Sequence, residues 1–365
     1  MKKRVAVLGA TGSIGKNTLD VLRNEKDRFE PVLFSAHKNA EELQKLKKEF
    51  PGAMIVLRDG LEEAIASVKA EITVNGISGA AGLAPSAAAI KAGSALALAN
   101  KETIVMAGPL ILDLAKKNKV PVIPVDSEHS AIFKLLEAHG KNNVAEIILT
   151  ASGGPFRKCT TEELSTVTPG NALLHPTWNM GPKISIDSAT LANKGLELIE
   201  AAHLFAFPPE KIKVTIHPQS IVHSMVRLTN GAVYAQMSKP DMKLPIHEAL
   251  SWPDSISSSY GSLDIDSLSL SFERPDPERF PMLDLAYSAL QGNPNLPIFY
   301  NAANEIAVEQ FFLGKISFLE IPRLVAYVLK NTTRQEKETE TIEEVLLLDR
   351  EARKIAEDYV KGICQ

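Results

Sequence analysis

Apolar residues in the first third of the chain fall in short bursts separated by amphipathic stretches. Residues 5–8 (VAVL) make a continuous apolar run of strand length, and 14–23 carry helical spacing. Residues 31–35 predict a second strand and 40–50 an amphipathic helix, while 72–75, 94–98 and 122–124 are further short apolar runs. This alternation predicts a doubly wound parallel sheet over residues 1–125. From Asp126 the texture changes. Residues 145–150, 213–216, 224–228 and 232–237 read as strands among Gly- and Pro-punctuated loops, and Asn230-Gly231 between two of them is a hairpin signal. A second, partly antiparallel sheet is expected, able to support a dimer interface.

Residues 251–281 are rich in serine and proline and read as a connecting segment. Beyond them, 282–291, 298–312, 318–329 and 342–359 carry helical periodicity, and no internal repeat is visible. The expected fold is α/β: an N-terminal Rossmann-like parallel sheet (1–125), a central α+β catalytic and dimerisation domain (126–250), a linker (251–281) and a C-terminal α-helical bundle (282–365).

Composition narrows the function. A chain of 365 residues exceeds one ordinary core. Its net charge of -4 gives no basic footprint for nucleic acid, so a small anionic substrate would need a local cationic pocket. Cys159 and Cys364 make no CxxC pair, which disfavours a disulfide framework or a cysteine zinc site and fits a reducing cytoplasm. The apolar run at 5–8 is too short for a secretion signal, and the stretch 80–99 is broken by Pro85 and Lys91. A cytoplasmic protein without membrane or nucleic-acid partners is expected.

Gly9-Ala10-Thr11-Gly12-Ser13-Ile14-Gly15 follows the first strand and opens the first helix. Glycine lets the backbone turn tightly and approach a pyrophosphate, whose charge meets the exposed N–H groups of the helix. A tight turn without ligand is the alternative. The second strand ends Ser35-Ala36-His37-Lys38-Asn39, with no acid to bond a ribose 2′-hydroxyl, so NADP is preferred over NAD. Lys38 alone could be a solvated surface lysine, and the missing acid weighs more. Asn100-Lys101-Glu102 ends another strand, either as ligand groups or as an ordinary helix start.

Asp126-Ser127-Glu128 follows the strand at 121–124, and in extended backbone residues two apart point the same way. Residues 191–197 read as helical, with Asn193, Lys194 and Glu197 sharing a face. If that face meets the Asp-Ser-Glu turn, three carboxylates converge and need a cation, hard oxygen ligands favouring Mg²⁺ or Mn²⁺ over zinc. Solvated acids are the alternative. Thr150-Ala151-Ser152-Gly153-Gly154-Pro155 has the character of an anion-binding turn, and Ser188, Asn193, Lys194 and His175 are donors suited to a phosphate monoester. His175-Pro176-Thr177-Trp178-Asn179-Met180-Gly181-Pro182 suits a closing flap or, alternatively, a buried loop anchored by Trp178. His217 and His223 are read as structural and outside the metal site.

These stretches together resemble the 1-deoxy-D-xylulose 5-phosphate reductoisomerase family nearly end to end. The resemblance rests on GATGSIG at 9–15, ANKE at 99–102, DSEH at 126–129, ASGGPFR at 151–157, HPTWNMGPKISIDSATLANKGLE at 175–197, HPQSIVHS at 217–224 and PDMKLPI at 240–246. It implies NADPH- and metal-dependent conversion of 1-deoxy-D-xylulose 5-phosphate to 2-C-methyl-D-erythritol 4-phosphate, a step of non-mevalonate isoprenoid synthesis, in a homodimer. It implies Asp126, Glu128 and Glu197 as ligands of Mg²⁺ or Mn²⁺, with Co²⁺ a further option. Ser127, Ser152, His175, Ser188, Asn193 and Lys194 would bind the phosphorylated sugar, mostly at its phosphate end and beside the metal ligands. Trp178 and Met180 would sit in the flap. Thr11, Gly12, Ser13, Ile14, Lys38, Asn39, Asn100, Glu102 and Gly181 would hold NADPH, and Lys101 would lie near both ligands and join the catalytic set. His37 would border the cofactor at a place where related sequences often carry glycine or arginine. A simple NADPH-dependent reductase of the semialdehyde or homoserine type, and more remotely a non-catalytic NADPH-binding regulator, are the competing readings.

Overall fold

This computed structural model describes residues 1–174, 181–266, 268–332 and 337–363. They divide into two compact units, each built from several stretches of chain: the first holds 1–103, 109–133 and 241–263, the second 104–108, 134–240 and 264–365.

The first unit is a six-stranded parallel sheet: β1 (Lys3–Leu8), β2 (Phe29–Ala36), β3 (Met54–Leu57), β4 (Ile72–Asn75), β5 (Ala95–Leu98) and β6 (Val122–Pro124), in the order β3-β2-β1-β4-β5-β6. The order reverses between β1 and β4, which places a crevice at their carboxyl ends. Connections run through α1 (Ser13–Asn24), α2 (Ala40–Glu49), α3 (Leu61–Val68), α4 (Leu83–Lys91) and α5 (Lys101–Asn118). The run Met54–Leu57 was not among the expected strands, although it is apolar throughout; at the sheet edge none of its residues is fully buried. Within α5 the backbone departs from helical values at Ala107 (φ −141°), two residues before Pro109. The proline ring clashes with the carbonyl four residues back and removes a donor, which is reason enough for the break.

After β6 the helix α6 (Ser127–His139) begins at once. The extended backbone expected at 126–128 is therefore replaced by a helix start, because the chain leaves the sheet at Val125 and Ser127 enters the first turn. Asp126 and Glu128 do not share a face by strand alternation.

The second unit has a mixed sheet of β7 (Val144–Ala151), β8 (Ile212–Ile216), β9 (Val222–Leu228) and β10 (Val233–Met237), ordered β10-β9-β7-β8. β8 runs parallel to β7, and β9 antiparallel to both β7 and β10. The hairpin expected at Asn230-Gly231 is present: Gly231 donates to Leu228 O, Leu228 donates to Ala232 O, and Gly231 takes φ +90°. That is a type I turn closed by a left-handed glycine. Between β7 and β8 lie the one-turn helices α7 (Thr161–Leu164) and α8 (Pro169–Ala172), then α9 (Pro182–Thr190) and α10 (Ala192–Phe205). The helical run read at 191–197 is interrupted at its first residue, since Leu191 is left-handed (φ +61°) and separates α9 from α10.

A return helix, α11 (Lys243–Ser251), belongs to the first unit, where Ile246, Ala249 and Leu250 enter the core with Val5, Val7 and Leu22. Burying each large aliphatic side chain contributes roughly 1.5–3 kcal/mol. Lys3 Nζ ties this segment down by donating to Leu250 O (2.8 Å) and Trp252 O (3.0 Å). The segments expected at 126–250 and 251–281 thus do not coincide with the compact units, because apolar residues beyond Asp241 find their partners beside β1. The C-terminal helices α12 (Met282–Gln291), α13 (Leu296–Phe312), α14 (Glu320–Asn331) and α15 (Ile342–Ile363) belong to the second unit, with α13 buried on nearly every side. No helix among the described residues is long and apolar enough to cross a membrane.

Candidate active site

In the first unit the loop after β1 positions the nucleotide motif. Gly9 adopts φ +76°, and a Cβ on Gly15 would stand 2.4 Å from Gly9 O, so only glycine lets α1 start this close to the strand. The N-cap Gly12 supplies no side-chain cap, and Gly12 and Ser13 are exposed with Thr11 and Ile14 half-buried beside them. The helix start thus presents main-chain N–H groups outward. His37, Lys38 and Asn39 are exposed past the end of β2, with Asn39 Oδ1 accepting from Glu42 N (3.0 Å) as the cap of α2.

Asn100 serves as the cap of α5 and is 2% exposed. Its Nδ2 donates to Ile77 O (2.7 Å), Gly79 O (2.9 Å) and Glu102 Oε2 (2.8 Å), so it pins the loop after β4 as well as starting a helix. Asn100-Lys101-Glu102 is thus a helix start whose charged groups are buried at the carboxyl end of the sheet.

Lys101 Nζ stands 2.6 Å from Asp126 Oδ2. Burial pushes the Asp126 carboxyl upward, but the Lys101 ammonium, then His129 and Glu128, outweigh it and hold the group well below the usual carboxylate range. Ser127 Oγ donates to Glu128 Oε2 (2.5 Å). His129, fully buried one turn along α6, has Nδ1 3.7 Å from Asp126 Oδ1. The sequence reading quoted DSEH without giving His129 a part; its spacing of three from Asp126 on a helix was the available signal.

In the second unit, Ser152 Oγ accepts from Gly154 N (3.2 Å), while Gly153 (φ +82°) and Gly154 (φ +68°) turn their amides in succession. A Cβ on Gly154 would lie 2.6 Å from Ser188 O, so the glycine turn sits directly on the C-terminal half of α9. Ser188 is 9% exposed. Asp187, next to it, accepts from Lys183 Nζ (2.7 Å) and Asn304 Nδ2 (2.8 Å), which fixes α9 to α13. No local pattern announces this link, because Asn304 is 117 residues away. On α10, Asn193 Nδ2 and Lys194 Nζ both donate to the Glu197 carboxylate, and Lys194 and Glu197 are 3% and 1% exposed.

His217 Nδ1 lies 2.9 Å from Ser271 O, and its Nε2 accepts from Val222 N (3.1 Å); it is a staple for the loop before β9. His223 bonds Ser238 Oγ (2.8 Å), and burial lowers its imidazole to about 4. Both are hydrogen-bonded within the fold. His175, Trp178 and Met180 lie outside the described residues, and Gly181 caps the start of α9.

Family models for 1-deoxy-D-xylulose 5-phosphate reductoisomerase match residues 5–60 and 52–108, and models of that enzyme's C-terminal domains match 122–205 and 237–355. The chain is 49% identical over 369 residues to the Treponema denticola reductoisomerase, covering 97% of this chain and 96% of the relative. The chain belongs to this reductoisomerase family. The Trichlorobacter lovleyi member is 47% identical over 380 residues, with 98% and 97% covered. Among solved structures, the Zymomonas mobilis enzyme in complex with NADPH superposes with a TM-score of 0.90 at 41% identity, covering 99% of both chains. A reductoisomerase in complex with NADPH, fosmidomycin and magnesium gives 0.93 at 37% identity, covering 100% of this chain and 99% of that one.

Proposed function

We propose that this chain reduces and isomerises 1-deoxy-D-xylulose 5-phosphate to 2-C-methyl-D-erythritol 4-phosphate, using NADPH and a divalent cation, Mg²⁺ or Mn²⁺. The observation that carries this reading is Glu197. It is a carboxylate 1% exposed, gripped by Asn193 and Lys194, in a chain similar end to end to a reductoisomerase solved with magnesium and NADPH. A buried charge is retained at considerable cost unless it serves a ligand or a partner.

The residues fit the groups they would hold. Asp126, Glu128 and Glu197 offer only hard oxygen donors, and Asp126 is kept ionised by its surroundings. They would bind the cation, which when bound polarises substrate oxygens as a Lewis acid. The uncapped start of α1 at Thr11, Gly12, Ser13 and Ile14 would receive the pyrophosphate of NADPH, and His37, Lys38 and Asn39 would meet its 2′-phosphate end. Asn100, Glu102 and Gly181 would complete the cofactor contacts. Ser152, Ser188, Asn193 and Lys194, with His175, would clamp the substrate phosphate and keep the fragments of the carbon skeleton in register between bond breaking and bond making. Lys101 holds Asp126 in place from one side, and Ser127 would touch substrate beside Glu128. Trp178 and Met180 would close over the site and exclude water.

The same reading makes the chain a cytoplasmic homodimer. Val233, Tyr234 and Met237 on β10 are 44%, 43% and 42% exposed, large apolar side chains at an open sheet edge that a second copy could cover. The decisive assay follows NADPH consumption with the pentulose phosphate, with and without Mg²⁺. Metal-dependent oxidation with formation of the branched tetritol phosphate is expected. Consumption that survives exhaustive chelation would return the chain to the simple reductases, and none at all to the non-catalytic regulators.

A further inference from the structure

β3, which the sequence did not reveal, ends beside β2 with Leu57 opposite Ala36. The next residue, Arg58, has a left-handed backbone (φ +66°), uncommon for a residue with a side chain. Two bonds hold it there: its N–H donates to Ala36 O (3.1 Å), and its Nε donates to His37 O (3.0 Å). The side chain is thereby folded back across the end of β2, next to the exposed pair His37 and Lys38. Among the described residues its terminal Nη1 and Nη2 groups meet no hydrogen-bond or ion-pair partner, and Arg58 is exposed. Asp59 follows it in the chain but forms no ion pair with it among the described residues; Glu41 on α2 is engaged with Lys45 (2.8 Å). A planar cation with its Nε anchored and its outer N–H groups free is prepared to take a phosphate. In a doubly wound sheet of this order, the end of the second strand is where a dinucleotide's adenosine ribose lies.

We infer that Arg58 is a specificity-determining residue: its guanidinium binds the 2′-phosphate of NADPH and, with Lys38 and His37, sets the preference for NADPH over NADH. This rests on the NADPH reading above. The two bonds to consecutive carbonyls at the end of β2 accompany the left-handed backbone at Arg58. They also give the histidine at position 37 a part through its main-chain oxygen, whatever its ring does.

The test is direct binding, without turnover: titrate the full-length chain with NADPH and with NADH, following nicotinamide fluorescence. Arg58→Ala is expected to weaken NADPH by about 10- to 100-fold while leaving NADH affinity unchanged. Arg58→Gln, which keeps a donor for His37 O but no charge, is expected to lose the same preference, and Arg58→Lys to keep part of it. Melting curves of each variant separate folding from binding. The inference is overturned if Arg58→Ala and Arg58→Gln keep the wild-type ratio of affinities, or if both cofactors weaken equally. A wild-type chain without preference for NADPH would overturn the cofactor reading as well, whereas a wild-type preference that survives in both variants removes Arg58 alone.

Discussion

In the first unit, the turn at residues 9–15 presents main-chain N–H groups, and Gly15 has no room for even a Cβ. In the second, α10 offers charge through side chains, and Asn193, Lys194 and Glu197 are large, polar and largely withdrawn from solvent. The two regions fail in different ways when altered. A backbone site is spoiled by adding an atom, because Gly15 already lies against Gly9 and Ala10. A buried side-chain site is spoiled by removing a charge, because the groups that faced that charge lose it without regaining water.

The largest effect separating the two is expected at Glu197. Glu197→Gln should lower turnover on the order of 10³-fold and blunt its response to Mg²⁺, since a neutral amide cannot replace an anionic ligand. Steady-state rates across a metal titration measure it, and an unchanged metal response would remove Glu197 from the cation. Glu197→Ala should in addition destabilise the second unit by about 3–5 kcal/mol, by taking the Glu197 carboxylate away from the buried Lys194 ammonium.

Next comes Gly15→Ala, which places a Cβ 2.4 Å from Gly9 O and Ala10 C. Main-chain atoms cannot yield as a flexible side chain can, so a loss of roughly 1–3 kcal/mol is expected, together with most NADPH affinity. Calorimetry and cofactor titration read the two effects. Full NADPH affinity in this variant would break the claim that the turn works through close backbone approach.

Asp187→Asn tests the support beneath the second region. It removes the charge that Lys183 and Asn304 share, for a loss of about 1.5–3 kcal/mol. If Asp187 merely fills space, the melting temperature will not move.

The smallest effect is a slope. Burial holds His223 at about 4, below its ordinary 6.5, so between those values the unfolded chain takes up a proton that the folded chain refuses. Stability contributed by this site is full above pH 6.5 and falls as pH drops toward 4, by no more than about 1.4 kcal/mol per unit. His223→Gln should flatten that part of a denaturation-against-pH profile.

Much of this was legible before any coordinates. The strands 5–8, 72–75 and 122–124 are apolar because both faces of a parallel sheet are covered, and a period so short leaves little else for them to be. Asn230-Gly231 named its hairpin through local turn chemistry. β3 was missed although Met54–Leu57 is apolar throughout, because periodicity alone does not tell so short a run from a piece of buried helix, and with it went Arg58. The start of α6 at Ser127 was missed because only Val125 and Asp126 separate it from β6, and Asp126 was read as extended backbone rather than as a helix start.

The sequence by itself determined the alternation of strands and helices, the glycine turn, the absence of an acid after β2 and the chemical kinds of residue available to a phosphate, a cation and a dinucleotide. Those are local properties, set by a few neighbouring residues and their backbone preferences. Tertiary structure alone decided that α11 joins the sheet of the first unit, that Asn304 steadies Asp187 and that Arg58 lies across the end of β2. Each joins residues far apart in the chain, and which distant partner a side chain meets depends on how whole elements pack, which no local pattern encodes.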